Sequence, residues 1–356
     1  RDSTEPHPHD APASTNVPAP EGFASGLLTG RFDFAAIHPF PAPRASQLTE
    51  DLALTTSASC VALSKRCLKL ARVAAEENGP DGLAIGKHGA FAEKLARLAG
   101  ETFAVEAMTL YAASLAPGDP APALRMEAAM TQLWATARSR EHELAATQIQ
   151  HARESGATPM PAGSGNPVAV RDSSESTRLR VGRAVFERHW RMVGPVLDSS
   201  SPGKTRLEAG ERAAWHYVRW YPRQWLGPFA DFGLLFSDLS PRLAAHVRWS
   251  ARTSHRLSRA LFHALVLHGA QLDHEELLLG RLVDLGTELF AITAACSYAQ
   301  HLHTPESLEL ADFFARATRL KIERLFQALH HHADRAGERL AHSVLAGRHT
   351  WLEGGD

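Results

Sequence analysis

The chain has 356 residues, of which 44% are hydrophobic and 22% are charged, and this length and composition can bury one large core or two modest ones. Its formal net charge is −1, which argues against nucleic acid as a partner. Three cysteines are too few for a disulfide framework, and with neither a run of about 18 apolar residues nor a hydrophobic leader we expect a cytoplasmic protein without a transmembrane helix.

The first 48 residues divide into two segments of different composition. Residues 1–21 are rich in proline, histidine, alanine and aspartate, and they predict a disordered tail. Residues 22–48 form a lead segment with seven bulky apolar side chains between Phe23 and Phe40. Because so many apolar groups are unusual in a free linker, we expect the lead segment to pack against the folded body.

A helix is predicted from Leu52 to Glu77, where apolar residues recur at intervals of three and four. Cys60 and Cys67 lie on its apolar stripe. Two cysteines in this setting predict small core residues rather than a metal or redox pair.

The stretch from Gly89 to Gln150 predicts a helical hairpin. The apolar stripe of its first helix consists of Phe91, Leu95, Leu98, Thr102 and Val105. The stripe of its second helix consists of Met130, Leu133, Trp134 and Ala137. Between the two helices stands PGDPAP, whose three prolines and one glycine cannot continue either of them.

The sequence of this hairpin resembles the carboxyl-terminal helical domain of acyl-CoA dehydrogenases, most closely the very-long-chain branch of that family. The matching segments of the hairpin are Glu93–Arg97, Glu127–Met130 and Gln148–Gln150. The lead segment matches at Phe23, Gly26, Gly30, Pro39, Phe40 and Pro41. The resemblance implies an all-α protein in which residues 49–198 form a helical bundle like that domain. The N-terminal α domain and the middle β domain of the family have no counterpart, since no strand pattern separates the lead segment from the first helix.

Members of the resembled family bind FAD, and two of their cofactor motifs align with this region. An Arg-x-x-Phe-Gly-x-x-Ile turn aligns with Asn78, Asp81, Gly82 and Ile85. The arginine that meets the flavin pyrophosphate is therefore missing, and Asp81 adds a charge of the wrong sign. Gln148 aligns with a cofactor-binding glutamine, but His151 and Ala152 replace the glycines that follow it. We therefore expect FAD only if a partner chain completes the site, and otherwise no cofactor.

The family's catalytic Glu-Gly-Thr aligns with Glu175-Ser176-Thr177. The resemblance makes Glu175 the candidate base and adds Thr177 to the cofactor contacts. A base of this kind takes the α-proton of an acyl thioester while the β-hydrogen leaves as hydride, and it works in a dry site. Glu175 stands among serines and arginines, so the competing interpretation is a solvated carboxylate in the first turn of a helix that runs to Val196.

Residues 199–207 predict a linker, and residues 208–356 predict a second helical domain that resembles the extra carboxyl-terminal domain of the very-long-chain branch. Between Glu211 and Phe236 aromatic residues alternate with arginines, and Pro222 and Pro228 are expected to prevent one long helix. This stretch forms a candidate membrane or partner surface, made of Trp215, Trp220, Tyr221, Trp225 and Phe229. The residue types suit either a bilayer headgroup region or an aromatic seam against neighbouring helices or a second subunit.

The last third predicts a packing helix from Glu276 to Gln300, with the stripe Leu278, Leu282, Leu285, Leu289, Ile292 and Cys296. Thr304 is predicted to cap the next helix, with Pro305 at its first position. Histidine is abundant, but neighbours such as His330, His331 and His332 point about 100° apart on a helix and cannot face one metal. We expect surface histidines and no metal site.

The residues that build the scaffold match the family better than those that bind its cofactor. Our leading hypothesis is a family member that has lost independent flavin chemistry and serves as a structural or interaction subunit. Its partners would be copies of itself or a full-length acyl-CoA dehydrogenase subunit, with peripheral contact to a membrane. The alternative is FAD-dependent α,β-dehydrogenation of a long-chain acyl-CoA, with Glu175 as base and a partner chain completing the site. A third interpretation is a deletion product or a partial gene.

Overall fold

The computed structural model describes residues 45–79, 81–115, 126–153, 174–197, 202–226 and 239–354. These ranges are helical, and their only bridge between extended residues is the isolated pair Asn78 and Ala84. The all-α fold predicted from the sequence is confirmed. The predicted tail, the lead segment up to Arg44 and Phe229 lie outside the described residues.

These ranges contain nine α-helices. In chain order they are α1 (Ala45–Ala75), α2 (Gly89–Ser114), α3 (Met126–Arg153), α4 (Ser174–Leu197), α5 (Gly203–Leu226), α6 (Pro241–His268), α7 (Glu276–Leu302), α8 (Pro305–Ala328) and α9 (Asp334–Leu345). Short 3-10 helices lie at Ile85–Lys87, Gly269–His274 and Thr350–Leu352.

Helix α7 lies at the centre of the described fold. It carries apolar residues on every side, which is the pattern of a helix surrounded by others. It packs against α2, α4, α6 and α8. Its predicted stripe is a packing seam, because Leu282, Leu285, Leu289, Ile292 and Cys296 are buried.

The largest hydrophobic core contains residues from both of the predicted helical domains. Phe103 of α2 stacks on Tyr298 of α7, with the ring centroids 5.1 Å apart. Trp134 of α3 meets Phe314 of α8 edge to face at 5.8 Å. The predicted division near residue 198 therefore falls across shared packing, and the division itself stays a prediction.

A smaller core joins α1, α2 and α3. It is built largely from small side chains, namely Cys67, Ala71, Ala74, Ala75, Leu98, Ala146 and Ile149. Cys60 and Cys67 are buried in these two cores, as the sequence predicts. Ala137, in contrast, is exposed, although the sequence pattern places it on the apolar stripe of α3.

The start of α8 follows the sequence prediction. The Thr304 Oγ1 accepts a hydrogen bond from the N–H of Ser307 at 3.2 Å, and the Ser307 Oγ accepts one from the N–H of Thr304 at 3.3 Å. Pro305 occupies the first helical position. These contacts satisfy backbone donors that the first turn of a helix leaves without partners.

Pro222 does not interrupt α5, which runs through it to Leu226, whereas Pro228 lies outside the described residues. A proline inside a helix removes one backbone hydrogen bond and costs about 3 kcal/mol. Contacts with α6 offset this cost. The Arg259 guanidinium lies 4.0 Å from the Trp225 ring centroid and also donates to the carbonyl oxygen of Gln224.

Candidate functional site

The turn between α1 and α2 holds the positions that align with the flavin pyrophosphate contact. Gly82 has a φ of +79°, a conformation that favours glycine. The Asp81 Oδ1 accepts a hydrogen bond from the N–H of Leu83 at 3.1 Å, and its Oδ2 lies 3.2 Å from the His88 Nε2. Asp81 thus closes its own turn, and a carboxylate at this point does not fit a pyrophosphate.

Gln148 lies near the end of α3, on its exposed side. Its Oε1 accepts a hydrogen bond from the Lys94 Nζ at 2.7 Å. The Lys94 ammonium also lies 5.6 Å from the centroid of the Phe91 ring. The fold therefore brings together two segments of the family resemblance, the Glu93–Arg97 segment of α2 and the glutamine of α3.

Glu175 lies in the first turn of α4, where the side chain is 71% exposed and its Oε1 accepts a hydrogen bond from the Arg178 Nη1 at 2.9 Å. The Arg178 guanidinium also lies 3.3 Å from Asp284 of α7. Thr177, the other residue that the alignment assigns to this site, is buried. The setting of Glu175 is that of a solvated, paired carboxylate at a helix start.

Helix α4, which carries Glu175, packs with the first half of α3, whereas Gln148 lies near the end of α3. Val181 of α4 packs with Ala129 and Leu133 in the first half of α3. Gln148 is 15 residues beyond Leu133, a distance of about 22 Å along a helix that rises 1.5 Å per residue. Gln148 thus lies well beyond the part of α3 that packs with Val181.

The aromatic residues of α5 divide into an inner and an outer group. Trp220 and Tyr221 face α6, with ring centroids 6.0 and 5.2 Å from that of Phe262. Trp215 and Trp225 are 66% and 55% exposed. The predicted surface is therefore partly an internal aromatic seam and partly an outer face. The described helices include no segment that could span a bilayer.

A buried polar network that the sequence motifs did not indicate joins α1, α2 and α3. The His142 Nδ1 lies 2.9 Å from the Ser64 Oγ, and its Nε2 lies 3.2 Å from the Glu101 Oε2. Arg138, one turn earlier on α3, lies 3.4 Å from Glu101 and also pairs with Glu141. Burial alone would raise the pKa of Glu101, but the hydrogen bond with His142 and the charge of Arg138 outweigh it and lower that pKa.

Charged residues of α7 and α8 extend this network. The buried Glu288 pairs with the Lys321 Nζ at 2.5 Å. Burial acts to lower the pKa of Arg138, but Glu101 and Glu288, followed by Glu141 and Asp284, outweigh it and raise that pKa. Each of these buried charges thus faces one of opposite sign, which compensates the cost of removing it from water.

The chain is similar to curated acyl-CoA dehydrogenases, although no protein-family model matches it. It is 30% identical over 328 residues to the probable acyl-CoA dehydrogenase FadE10 of Mycobacterium bovis and of two strains of Mycobacterium tuberculosis. Each alignment covers 85% of this chain and 49% of the relative. The chain therefore spans about half the length of the curated relatives it matches.

A solved structure shows the same relationship at the level of the fold. A FAD complex of an acyl-CoA dehydrogenase from Bacillus anthracis superposes with a TM-score of 0.52, covering 82% of this chain and 51% of that chain. The two sequences are 14% identical, so this likeness shows the fold alone. It agrees with the helical carboxyl-terminal domain that the motifs predict.

Proposed function

Because the chain is an acyl-CoA dehydrogenase homologue, we propose that it acts as a structural or interaction subunit of that family and does not carry out flavin-dependent dehydrogenation by itself. The observation that carries this proposal is the setting of Glu175, which is exposed and bound to Arg178. A base that removes an α-proton needs a substrate within hydrogen-bond reach in a site shielded from water. An exposed and paired carboxylate lacks that shielding.

The residues that align with the family's pyrophosphate contact support the same proposal. Asn78 stands at the position of the family's arginine, and Asp81 hydrogen bonds within its own turn. A pyrophosphate is bound through cations and backbone N–H groups, and a neighbouring carboxylate repels it. The chain alone is therefore not expected to bind FAD.

Helix α9 is the element that suits an interaction subunit best. None of its residues is buried, although its apolar residues Leu340, Val344 and Leu345 recur at helical spacing. The helix is attached to the fold by Arg281, which donates two hydrogen bonds to Asp334 at 2.6 and 2.7 Å. An amphipathic helix fixed at one end with an exposed apolar stripe is a docking element for a second protein surface, and we assign it to a second copy of this chain.

The outer tryptophans of α5 suit a second kind of contact. Trp215 is exposed, and the Arg219 guanidinium lies 5.7 Å from its ring centroid. Trp225 stands further along the helix, and Val218 lies exposed between them. Exposed tryptophan next to arginine is typical of surfaces that lie at the headgroup level of a bilayer. We therefore include peripheral membrane contact through this face in the proposed function.

The second candidate is FAD-dependent dehydrogenation of a long-chain acyl-CoA, with Glu175 as base. The pairing of Lys94 with Gln148 favours it, because two segments of the family resemblance meet at an exposed position where another chain can reach them. In this candidate the flavin is bound only when a partner, such as a full-length acyl-CoA dehydrogenase subunit, supplies the missing walls of the site.

Flavin content distinguishes the two candidates when it is measured both on the purified chain and on its mixture with a full-length acyl-CoA dehydrogenase subunit. We expect the purified chain to release no flavin on denaturation, and we expect the mixture to contain only the flavin that the added subunit brings. About one additional flavin per copy of this chain, in either sample, would contradict the leading candidate. In that event dehydrogenation is compared between Glu175→Gln and Glu187→Gln, the latter being an exposed glutamate on the same helix. Loss of activity in Glu175→Gln alone would establish the second candidate.

A further inference from the structure

Between α6 and α8 lies an open groove with a volume of about 520 Å³. Its lining includes Pro241, Arg242, His246, Asp312, Arg316 and Arg319. The groove therefore presents three guanidinium groups and one carboxylate. Since the whole chain carries a formal charge of −1, this concentration of positive charge is a local feature.

Arg319 is held in place by two neighbours on α6. Its guanidinium carbon lies 4.7 Å from the centroid of the Trp249 ring, and its Nη1 lies 3.4 Å from the Nδ1 of the buried His246. The other ring nitrogen of His246, Nε2, lies 2.8 Å from the Asp312 Oδ1. These contacts assign the Nε2–H tautomer, in which His246 donates to Asp312 and accepts from Arg319. The guanidinium is thus pre-organised, with its remaining donors available.

Asp312, the one carboxylate of the groove, is already bound. Besides the contact with His246, the Arg316 Nε donates to its Oδ1 at 3.1 Å, and the Arg316 Nη2 lies 3.0 Å from its Oδ2. Burial would raise the pKa of Asp312, but the hydrogen bonds from His246 and Arg316 outweigh it and lower that pKa. The charge of Asp312 is therefore largely balanced by Arg316.

Arg319 is surrounded mainly by charges of its own sign. Loss of solvent and the nearby charges of Arg252 and Arg316 lower its pKa, and Glu323 opposes them only in part. No carboxylate in the ranges that the structure describes lies within ion-pair distance of Arg242, Arg252 or Arg319. An anion in the groove would relieve this repulsion.

The start of α6 adds to the positive potential. Pro241 is the first helical residue, and the N-cap residue Ser240 makes no side-chain hydrogen bond to the first turn. The first backbone N–H groups of a helix carry a partial positive charge and bind phosphate or carboxylate groups. Arg242 stands at this end of the groove.

We propose that this groove binds the phosphate group of a phosphorylated ligand, with Arg319 as the fixed anchor and the exposed Arg242 as the second guanidinium group. Guanidinium groups bind phosphate through paired N–H donors, and an arginine whose plane is held by an aromatic ring loses little freedom on binding. The shared chemistry fits either a soluble phosphorylated compound or the headgroup of an anionic phospholipid.

Calorimetric titration of the full chain with inorganic pyrophosphate tests the proposal. We expect saturable binding at low ionic strength that weakens at high salt. Arg319→Gln is expected to reduce the affinity by about tenfold or more, because a charged donor is lost. Arg324→Gln, an exposed arginine of α8 that does not line the groove, is the control and is expected to bind as the wild type does.

Arg242→Gln is a second groove variant that keeps the test valid if Arg319→Gln misfolds. Arg242 is exposed at the start of its helix, so its replacement leaves the core intact. It is expected to weaken binding, and the helical circular dichroism of all variants is compared. Co-sedimentation with phosphatidylglycerol vesicles, against phosphatidylcholine vesicles, identifies the source of the phosphate. Pyrophosphate binding alone indicates a soluble ligand, whereas vesicle binding that Arg319→Gln abolishes indicates a lipid headgroup. Failure to bind either probe, or wild-type affinity in both groove variants, would overturn the proposal.

Discussion

Glu101 lies on α2 between the buried residues Leu98 and Val105, and its lowered pKa shows that it is ionised there at neutral pH. Its carboxylate is stabilised by His142 and Arg138, both from α3. A buried charge with partners of opposite sign is tolerated, but the loss of one member leaves the other without compensation. The pairing of α2 with α3 is therefore sensitive to this one side chain.

We expect Glu101→Gln to lower the free energy of unfolding by about 3 kcal/mol, because Arg138 would remain buried with less negative charge beside it. Glu141→Gln is the matched control, since Glu141 also pairs with Arg138 but is exposed. Its effect is expected to be below about 1 kcal/mol. Urea unfolding at neutral pH measures both values. Equal effects of the two variants would contradict the conclusion that Glu101 is the buried charge that compensates Arg138.

The pH dependence of the same variant follows from the direction of the pKa shift. A carboxylate whose pKa is lowered on folding contributes stability that is present above its unfolded pKa of about 4.3 and is lost as the pH falls through the folded pKa. The difference in unfolding free energy between the wild type and Glu101→Gln should therefore hold from neutral pH to about pH 5 and shrink at lower pH. A difference that grows on acidification would rule out Glu101 as its source.

Local features of single residues were predictable, whereas contacts between distant residues were not. The capping contact of Thr304 depends on residues three positions apart, and the turn at Gly82 depends on one backbone conformation. His142 and Glu101 are 41 positions apart, and His246 and Asp312 are 66 positions apart. The one available signal was a charged residue inside an apolar stripe, as at Glu101, and it does not identify the partner.

At the scale of elements, α5 shows why composition alone left two interpretations open. Pro222 and Pro228 predict a broken helix, and a broken helix has no single period that sorts its aromatic residues onto faces. In the continuous helix Trp220 and Tyr221 contact Phe262, while Trp215 and Trp225 are more than half exposed, the latter with one face against Arg259. The seam and the exposed face are two sides of one helix.

Membrane contact through α5 is therefore expected to depend on Trp215 and Trp225 and not on Trp220 or Tyr221. The double variant Trp215→Ser, Trp225→Ser should lose flotation with uncharged phosphatidylcholine liposomes, because aromatic side chains at the headgroup level supply the apolar part of the binding energy. Leu320→Ser, which removes an equally exposed apolar side chain from α8, is the control and should float as the wild type does. If the double variant still floats with liposomes, the outer face of α5 is not the membrane contact.

Helix α9 gives a separate prediction about assembly. Replacement of Leu340 and Leu345 by serine is expected to reduce the molar mass measured by light scattering to that of one chain, because the exposed apolar stripe is lost. The melting temperature of the variant should no longer depend on protein concentration, because association stabilises the folded state only in the wild type, and helical circular dichroism should be unchanged because no residue of α9 is buried. A wild type that is already monomeric at high concentration would exclude α9 as a self-association element.

At the scale of the whole molecule, the family resemblance together with helical periodicity predicted the all-α fold, but periodicity did not predict the arrangement of the helices. Periodicity shows that a helix has an apolar side, and it does not say which helix covers it. The contacts of Phe103 with Tyr298 and of Trp134 with Phe314 join segments that the sequence assigns to different domains. Such packing predicts that residues on both sides of the predicted linker unfold together.

Calorimetry of the full chain should accordingly show one transition for the described fold, with equal calorimetric and van't Hoff enthalpies. Phe314→Ala, which empties a buried position, is expected to destabilise this whole transition by about 3 to 5 kcal/mol. Phe313→Ala is the neighbouring control, because Phe313 is partly exposed and its loss leaves a smaller cavity. If the predicted domains were independent, Phe314→Ala would split the transition and shift only the part that belongs to residues 208–356. A single shifted peak would instead show that α7 and α8 complete the core of the bundle formed by α1, α2 and α3.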